Sequence, residues 1–234
     1  ASPRGMQRVM DEHDARTRVG YDSTLYDAHT IRSVLGSDEC CGGVRYTGTF
    51  AINAYLYCQG MRDILREAGV VIHEQSCATE VHEGRVVANG LSVQADAVVL
   101  CVDRFLPMFD VLQKEVYHIQ TFLAASVPLI DAQVSAIFPD GRLMVWDSDL
   151  IYQYFRLTGD NRLLVGASSA RYTYAAEEHE VVSVILEKMR SYVHKKFPHT
   201  AVDFEYFWEG LIGVSKDLLP LVGHDPARPT ISFV

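Results

Sequence analysis

Residues 208–226 read "WEGLIGVSKDLLPLVGHDP", with one Trp, three Gly, two Pro and two Asp. They follow neither the 3.6-residue period of a helix nor the two-residue period of a strand. The composition predicts a tight turn built around a large aromatic ring. Directly after it, "TISFV" (230–234) predicts a short strand. What that strand returns to has to be found upstream.

Residues 52–68 predict an amphipathic helix, because Ile52, Tyr55, Leu56, Met61, Ile64, Leu65 and Ala68 recur near i, i+3, i+4 spacing. Gly69 suits the left-handed residue that ends such a helix. "VVIHEQ" follows as a predicted strand, so helix, glycine and strand form the second half of a βαβ unit. Short alternating strands come next, with turns at Glu83-Gly84 and at Asn89-Gly90, the latter a strong hairpin signal. "AVVLC" (97–101) is continuously apolar, as expected of a strand buried on both faces. A small β-meander thus interrupts a parallel sheet.

Upstream, residues 1–44 are polar, with one short helix predicted in "DAHTIRSVLG", and "CGGVRYTGTF" reads as a glycine-rich turn region. Downstream, "YHIQTFLAAS", "AQVSAIF", "RLMVW", "LIYQYFRLT" and "RLLVGAS" predict a mostly antiparallel sheet, joined by "PDGR" and "TGDNR" turns. Residues 177–197 predict the best helix of the chain, acidic at its start and basic at its end, with Pro198 stopping it. "VDFEYFW" predicts a last strand before the opening stretch.

With 234 residues, the chain is long enough for one large or two small domains. Its 48% hydrophobic and 22% charged content is that of a soluble globular protein. No apolar run approaches the ~20 residues of a membrane helix, so stable membrane insertion is not expected. A net charge of -9 without a Lys/Arg cluster argues against nucleic-acid binding. The five cysteines are odd in number and lack CxxC spacing, which disfavours a disulfide framework and points to a reducing cytoplasm. The nine histidines show no metal-ligand spacing, and no metal is expected.

Helix-Gly-strand, meander, "ADAVVL", a mixed-sheet domain and then W-x-G followed by D-x-x-P-x-x-G occur here in a fixed order. In that order the chain resembles the FAD-dependent D-amino-acid oxidase-like superfamily, from about residue 42 to residue 234. The resemblance implies an α/β flavoprotein with an incomplete Rossmann-like FAD domain, plus an α+β substrate domain with a mostly antiparallel sheet. It implies these divisions: 1–44 a helical or linker region, 45–103 part of the FAD domain, 104–207 the substrate domain, and 208–234 the return to the FAD domain. The family's GxGxxG turn is absent from the sequence. So is its second glycine-rich segment. The expectation is an internal fragment that binds FAD weakly or not at all and is inactive alone.

By the same resemblance, Trp208 and Gly210 lie near the flavin ring, while Asp217, Pro220 and Gly223 shape the loop to the last strand. Ala78 falls where the family contacts adenine through backbone, and Cys101 and Val102 fall where the backbone passes the cofactor, in place of the family's Ala-Thr-Gly. Glu74 is read as an ordinary strand residue; for Tyr46 and Phe50, core packing is preferred over flavin contact. Tyr152, Tyr154 and Arg156 alternate on one strand and share a face. The resemblance makes that face a cavity wall for an alkylamine, with Arg156 meeting a distal carboxylate; the bland alternative is packing and a surface ion pair.

Amino-acid oxidising members carry W-x-G-x-R-P, whose Arg pairs with the substrate carboxylate. Here Ile212 stands at that Arg and Gly213 at that Pro. An aliphatic side chain cannot neutralise a carboxylate, so a simple α-amino acid is disfavoured. This departure, with "YQYFRLTGDNRLLVGAS" and "QTFLAASVPL", is similar to the γ-glutamylputrescine oxidase branch. The implied activity is FAD-dependent oxidation of the C–N bond of a small amine, with no acid–base triad required. The alternatives are an amino-acid oxidase of the same superfamily and a non-catalytic scaffold on a degraded flavoprotein fold.

Overall fold

Period-two burial organises most of the chain. The computed structural model describes residues 2–148, 152–166, 171–173 and 182–234. In chain order the elements are α1 (Met6–Arg18), β1 (Ser23–Asp27), β2 (Gly42–Tyr46), α2 (Ala54–Glu67), β3 (Ala78–His82), β4 (Arg85–Ala88), β5 (Leu91–Gln94) and β6 (Val98–Leu100). They continue with β7 (Val116–Pro128), α3 (Asp131–Ile137), β8 (Met144–Trp146), β9 (Tyr154–Leu157), β10 (Arg162–Gly166), β11 (Arg171–Thr173), α4 (Val182–Lys196), β12 (Phe204–Ser215), β13 (Gly223–Asp225) and β14 (Arg228–Phe233). Short 3-10 turns occupy Thr30–Ser33 and Asp103–Phe109. Parts of three predicted elements fall outside the described residues: the start of "LIYQYFRLT", the end of "RLLVGAS" and the acidic start of the helix 177–197. Among the described residues no helix is long and apolar enough to cross a membrane.

Two compact units result. The first comprises Ala1–Phe50, Gln120–Arg171 and Glu177–Gly210. Its sheet runs in the order β11-β7-β10-β9-β8, with β12 also on β7, and the β7–β10, β10–β9 and β9–β8 pairs are antiparallel. Phe155, Leu157, Leu163 and Val165 point to one face and are buried with Phe138, Val193 and Phe197. The Phe155 ring lies 6.0 Å from Phe138 and meets Phe197 edge-on at 5.7 Å, both within the range of favourable aromatic pairs. Phe122 and Ala124 of β7 are buried with Ile185 and Met189 of α4. Strands β1 and β2 pair antiparallel, so "CGGVRYTGTF" holds a strand, Gly42–Tyr46, where the composition had suggested only a turn.

The second unit comprises Ala51–Ile119, Tyr172–Ala176 and Leu211–Val234. Strands β3, β4 and β5 form the expected antiparallel meander. Asn89 and Gly90 both take positive φ (49° and 77°), the signature of the turn that their sequence predicted. Strand β14 pairs parallel with β6, Ile231 opposite Val98 and Phe233 opposite Leu100. The "TISFV" strand therefore returns to the "AVVL" strand. Val98, Leu100, Ile231 and Phe233 are buried together with Val81, Leu106 and Phe109.

Three expectations meet a different outcome. Residues 208–215 continue β12 as extended strand, so Trp208 is not at the tight turn; the chain turns only after Ser215, where Leu218 takes a φ of 63°. "VVIHEQ" forms no strand, and Val70 and Val71 are exposed. Val99 is 60% exposed although its strand was expected to be buried on both faces. The last two share a cause, since β6 is hydrogen-bonded to β14 alone among the described strands. Helix α2 does form as predicted, with Asn53 Oδ1 accepting from Leu56 N–H at its start and Gly69 at a φ of 87° after its end. Its apolar face is exposed at Tyr55, Leu56, Met61, Ile64 and Leu65.

A guanidinium clamp ties the second unit together. Arg228 Nε donates to Asp225 Oδ2 (2.6 Å), Nη1 to the Val81 carbonyl (3.1 Å) and Nη2 to the Phe109 carbonyl (2.9 Å). Asp225 Oδ1 accepts from Ala227 N–H (3.0 Å). Three segments distant in sequence are thereby satisfied by one fork. Arg228→Ala is expected to cost about 2–4 kcal/mol in urea unfolding, because it leaves a largely buried carboxylate and two carbonyls unpaired. Arg228→Lys, which keeps the charge but not the fork, recovers only part. The Ala227 N–H, and then Arg228, hold the Asp225 carboxyl below the usual carboxylate range against the opposing effect of burial. A carboxyl depressed in the folded state stabilises above its unfolded pKa and loses that contribution as pH falls through its folded one. Asp225→Asn should therefore flatten the acid limb of a stability–pH curve.

Candidate functional site

Burial of Phe155 and Leu157 on one face of β9 forces Tyr154 and Arg156 onto the other. Register extends that face sideways: Trp146 of β8, Tyr154 of β9, Gly166 of β10 and Leu123 of β7 lie in one row, and Met144, Arg156, Leu164 and Ala125 in the next. Tyr152, just before β9, brings its ring to 6.2 Å from Tyr154. Tyr152 and Trp146 are half exposed, at 51% and 48%. The Tyr154 phenol is pushed above its ordinary pKa by burial and then by the neighbouring Tyr152, so at neutral pH it stays a hydrogen-bond donor. Arg156 Nη1 donates to the Leu157 carbonyl (3.2 Å). No described ion pair involves Arg156, so the surface ion pair weighed for it does not appear among these residues.

Trp146 was not singled out by its sequence. Its signal was the alternation of "RLMVW", which puts Trp on the face opposite the buried one. Trp146 also packs at 5.9 Å on Tyr46, whose other neighbour is the Arg16 guanidinium, 3.7 Å from the ring centroid. Tyr46 is thus half-buried in an aromatic–cation stack, whereas Phe50 is 80% exposed and is not core. Gly166 makes room for Tyr154: a Cβ there would lie 2.3 Å from the ring's Cζ.

On β12, Phe207 stacks on Phe122 at 6.0 Å, and Glu209 Oε2 accepts from the buried Gln120 Nε2 at 3.1 Å. Phe207 and Glu209 therefore share the helix-covered side, and alternation turns Trp208 and Gly210 to the other. Trp208 is 43% exposed, and the Gly210 carbonyl accepts from Thr121 Oγ1.

Within the second unit, Cys101 is exposed and Val102 half-buried, directly after the carboxyl end of β6. The crevice beyond such ends is where open α/β sheets take ligands. Asp103 follows at a φ of 48°, and its carboxylate accepts from the Gly213 N–H (3.2 and 3.3 Å). Ile212, beside it, is 45% exposed. Ala78 opens β3 opposite Ala88, and Gly223 opens β13 opposite Phe233. Glu74 is held by Arg62 and Arg66 (3.3 and 2.9 Å), whose hydrogen bonds lower its pKa, and it lies on coil rather than strand.

A family model described as FAD dependent oxidoreductase (DAO) matches residues 1–233. The chain belongs to the DAO family. Among curated proteins, the probable oxidoreductase OrdL of Haemophilus influenzae is 27% identical over 226 residues, covering 91% of this chain and 49% of the relative. The protein of the same name from Rhizobium meliloti is 27% identical over 210 residues, covering 87% and 47%. The chain thus spans about half the length of these relatives. Among solved structures, glycine oxidase from Geobacillus kaustophilus superposes with a TM-score of 0.79 at 14% identity, over all of this chain and 62% of that one. L-Proline dehydrogenase from P. horikoshii gives 0.82 at 12%, over 99% and 63%. At these identities the likeness shows the fold, which is the flavoprotein α/β plus antiparallel-sheet fold expected from the sequence.

FAD is the cofactor of the DAO family. The carboxyl end of β6 is accessible, and the sequence has no GxGxxG turn to cradle phosphates.

Gly166→Ala tests how the aromatic face is built. The atoms an added Cβ meets are the far end of the Tyr154 side chain, which swings away, so stability should change by less than about 1 kcal/mol. The displaced ring should alter the near-ultraviolet circular dichroism. A spectrum identical to that of the parent would mean that Gly166 does not set the position of Tyr154.

Proposed function

We propose that this chain carries the substrate face of an FAD-dependent amine oxidase or dehydrogenase acting on a γ-glutamylputrescine-like amine. The observation that carries the reading is the aromatic face of Tyr152, Tyr154 and Trp146 with Arg156 in the adjoining row. Rings in this arrangement suit an alkylamine chain, and a guanidinium in the next row suits a carboxylate at the chain's far end. Position 212 supports the same reading, since Ile there offers no charge to an α-carboxylate.

When bound, the flavin accepts the hydride equivalent from the carbon next to nitrogen. The roles left to the protein are binding, orientation and exclusion of water. In this reading Tyr152 and Trp146 flank the methylenes, and the protonated Tyr154 phenol donates a hydrogen bond. Arg156 fixes the distal end of the amine within the first unit; in the second unit the backbone at Cys101 and Val102 is assigned to the flavin. Ala78 and Gly223 are assigned to the nucleotide side of the same domain.

The second reading is an amino-acid oxidase of the same family, favoured by the glycine oxidase and L-proline dehydrogenase folds that the chain shares. The visible spectrum of the holoenzyme under anaerobic conditions separates the two. Bleaching of the flavin band by γ-glutamylputrescine, but not by glycine, sarcosine or D-alanine, is expected. The reverse order would establish the amino-acid reading. Arg156→Ala should lower kcat/KM for γ-glutamylputrescine by about 10- to 100-fold, the scale of one charge-assisted pair, and leave putrescine unaffected. An equal loss for both amines would remove Arg156 from the distal site.

A further inference from the structure

Arg104 is the anomaly among the arginines. Each other half-buried arginine with a described side chain has an acceptor: Arg16, Arg62, Arg85, Arg156, Arg162 and Arg228 all do. Arg104 has none among the described residues, and its Nη1 is sealed from solvent. A guanidinium partly withdrawn from water without an oxyanion is unfavourable, so a retained one implies a partner.

The backbone that carries it is held from two sides. His118, 8% exposed, directs Nε2 at the Arg104 carbonyl (3.1 Å). A carbonyl only accepts, so Nε2 bears the proton and donates. The neighbouring Asp103 is pinned at positive φ by its bonds to the Gly213 N–H. Gly213 is required for this approach, since a Cβ there would stand 2.9 Å from Arg104 N and Cα. The guanidinium lies over the Phe105 ring, 4.3 Å from its centroid, and Phe105 is 39% exposed, which leaves the stacked pair open to solvent on one side. With Nη1 sealed, the edge left to a ligand is the side-on one of Nε and Nη2, a fork that can take a carboxylate bidentately.

We propose that Arg104 is a carboxylate-binding residue of this protein, held in place by His118 and by the Asp103–Gly213 contact. The same substitution that removes charge at position 212 brings Gly to position 213, and Gly213 is what admits the Arg104 backbone. That the carboxylate belongs to a substrate rests on the flavin-dependent oxidase reading; that Arg104 binds one does not.

The test uses acetate as probe and needs neither flavin nor turnover. In the 15N-labelled chain, the arginine Nε resonances are followed as sodium acetate replaces sodium chloride at constant ionic strength. One resonance, absent from Arg104→Met, should shift along a saturable curve. Arg104→Lys, which keeps charge and stem, should bind about tenfold more weakly, since one point charge replaces a fork. His118→Gln, which keeps a donor to the carbonyl, should stay within about threefold of the parent, and His118→Leu should lose about tenfold. A linear, unsaturable shift would overturn the proposal, as would saturation that survives in Arg104→Met. Saturation by phosphate but not by acetate would overturn the carboxylate assignment in favour of a phosphate. A negative result leaves the amine-oxidase reading standing, because that reading is decided by the flavin spectrum.

Discussion

The burial of Phe155 governs the first unit. With its ring between Phe138 and Phe197, β9 has one permitted register, and a slip of one residue would carry Tyr154 and Arg156 into the core and Phe155 into water. Removing that ring altogether would cost a few kcal/mol, comparable with the net stability of a domain. Everything on the opposite face follows from this choice. Trp146, Gly166 and Leu123 are set beside Tyr154 by antiparallel pairing, and the missing Cβ of Gly166 decides where the Tyr154 ring rests. The aromatic face is here the by-product of a core.

The second unit relies on a polar device instead. Its parallel pair, β6 and β14, is three residues wide in register, too short to hold by backbone bonding alone. Arg228 compensates by collecting Asp225 and two carbonyls from other segments. The Asp103–Gly213 contact does the same for the loop beyond β6. Apart from the Arg228–Asp225 pair, these are bonds between side chain and backbone of residues far apart in sequence, and they fix loop positions that short strands leave free.

Local signals in the sequence were the legible ones. The meander was announced by Asn89-Gly90, the end of α2 by Gly69, and the alternation of Tyr152, Tyr154 and Arg156 by period two, because each depends on neighbours within a few residues. Features set by distant partners were not legible. Residues 70–75 have the composition of a strand, but a strand exists only when another pairs with it, and none among those described does. Residues 208–215 looked like a turn because their glycines break the pattern, yet β7 holds them extended. The Arg228 clamp and the Arg104 loop left no trace in spacing. The family order of motifs supplied the fold and the cofactor where periodicity could not.

Helix α2 bears on how the protein behaves as a colloid. Its exposed stripe of Tyr55, Leu56, Met61, Ile64 and Leu65, and the side of β6 that pairs with no described strand, are the surfaces on which chains adhere to one another. Mutual repulsion from a net charge of -9 opposes that at neutral pH. The repulsion vanishes near the isoelectric point, about 5.4, so mild acid, well short of unfolding, is where this protein is least soluble.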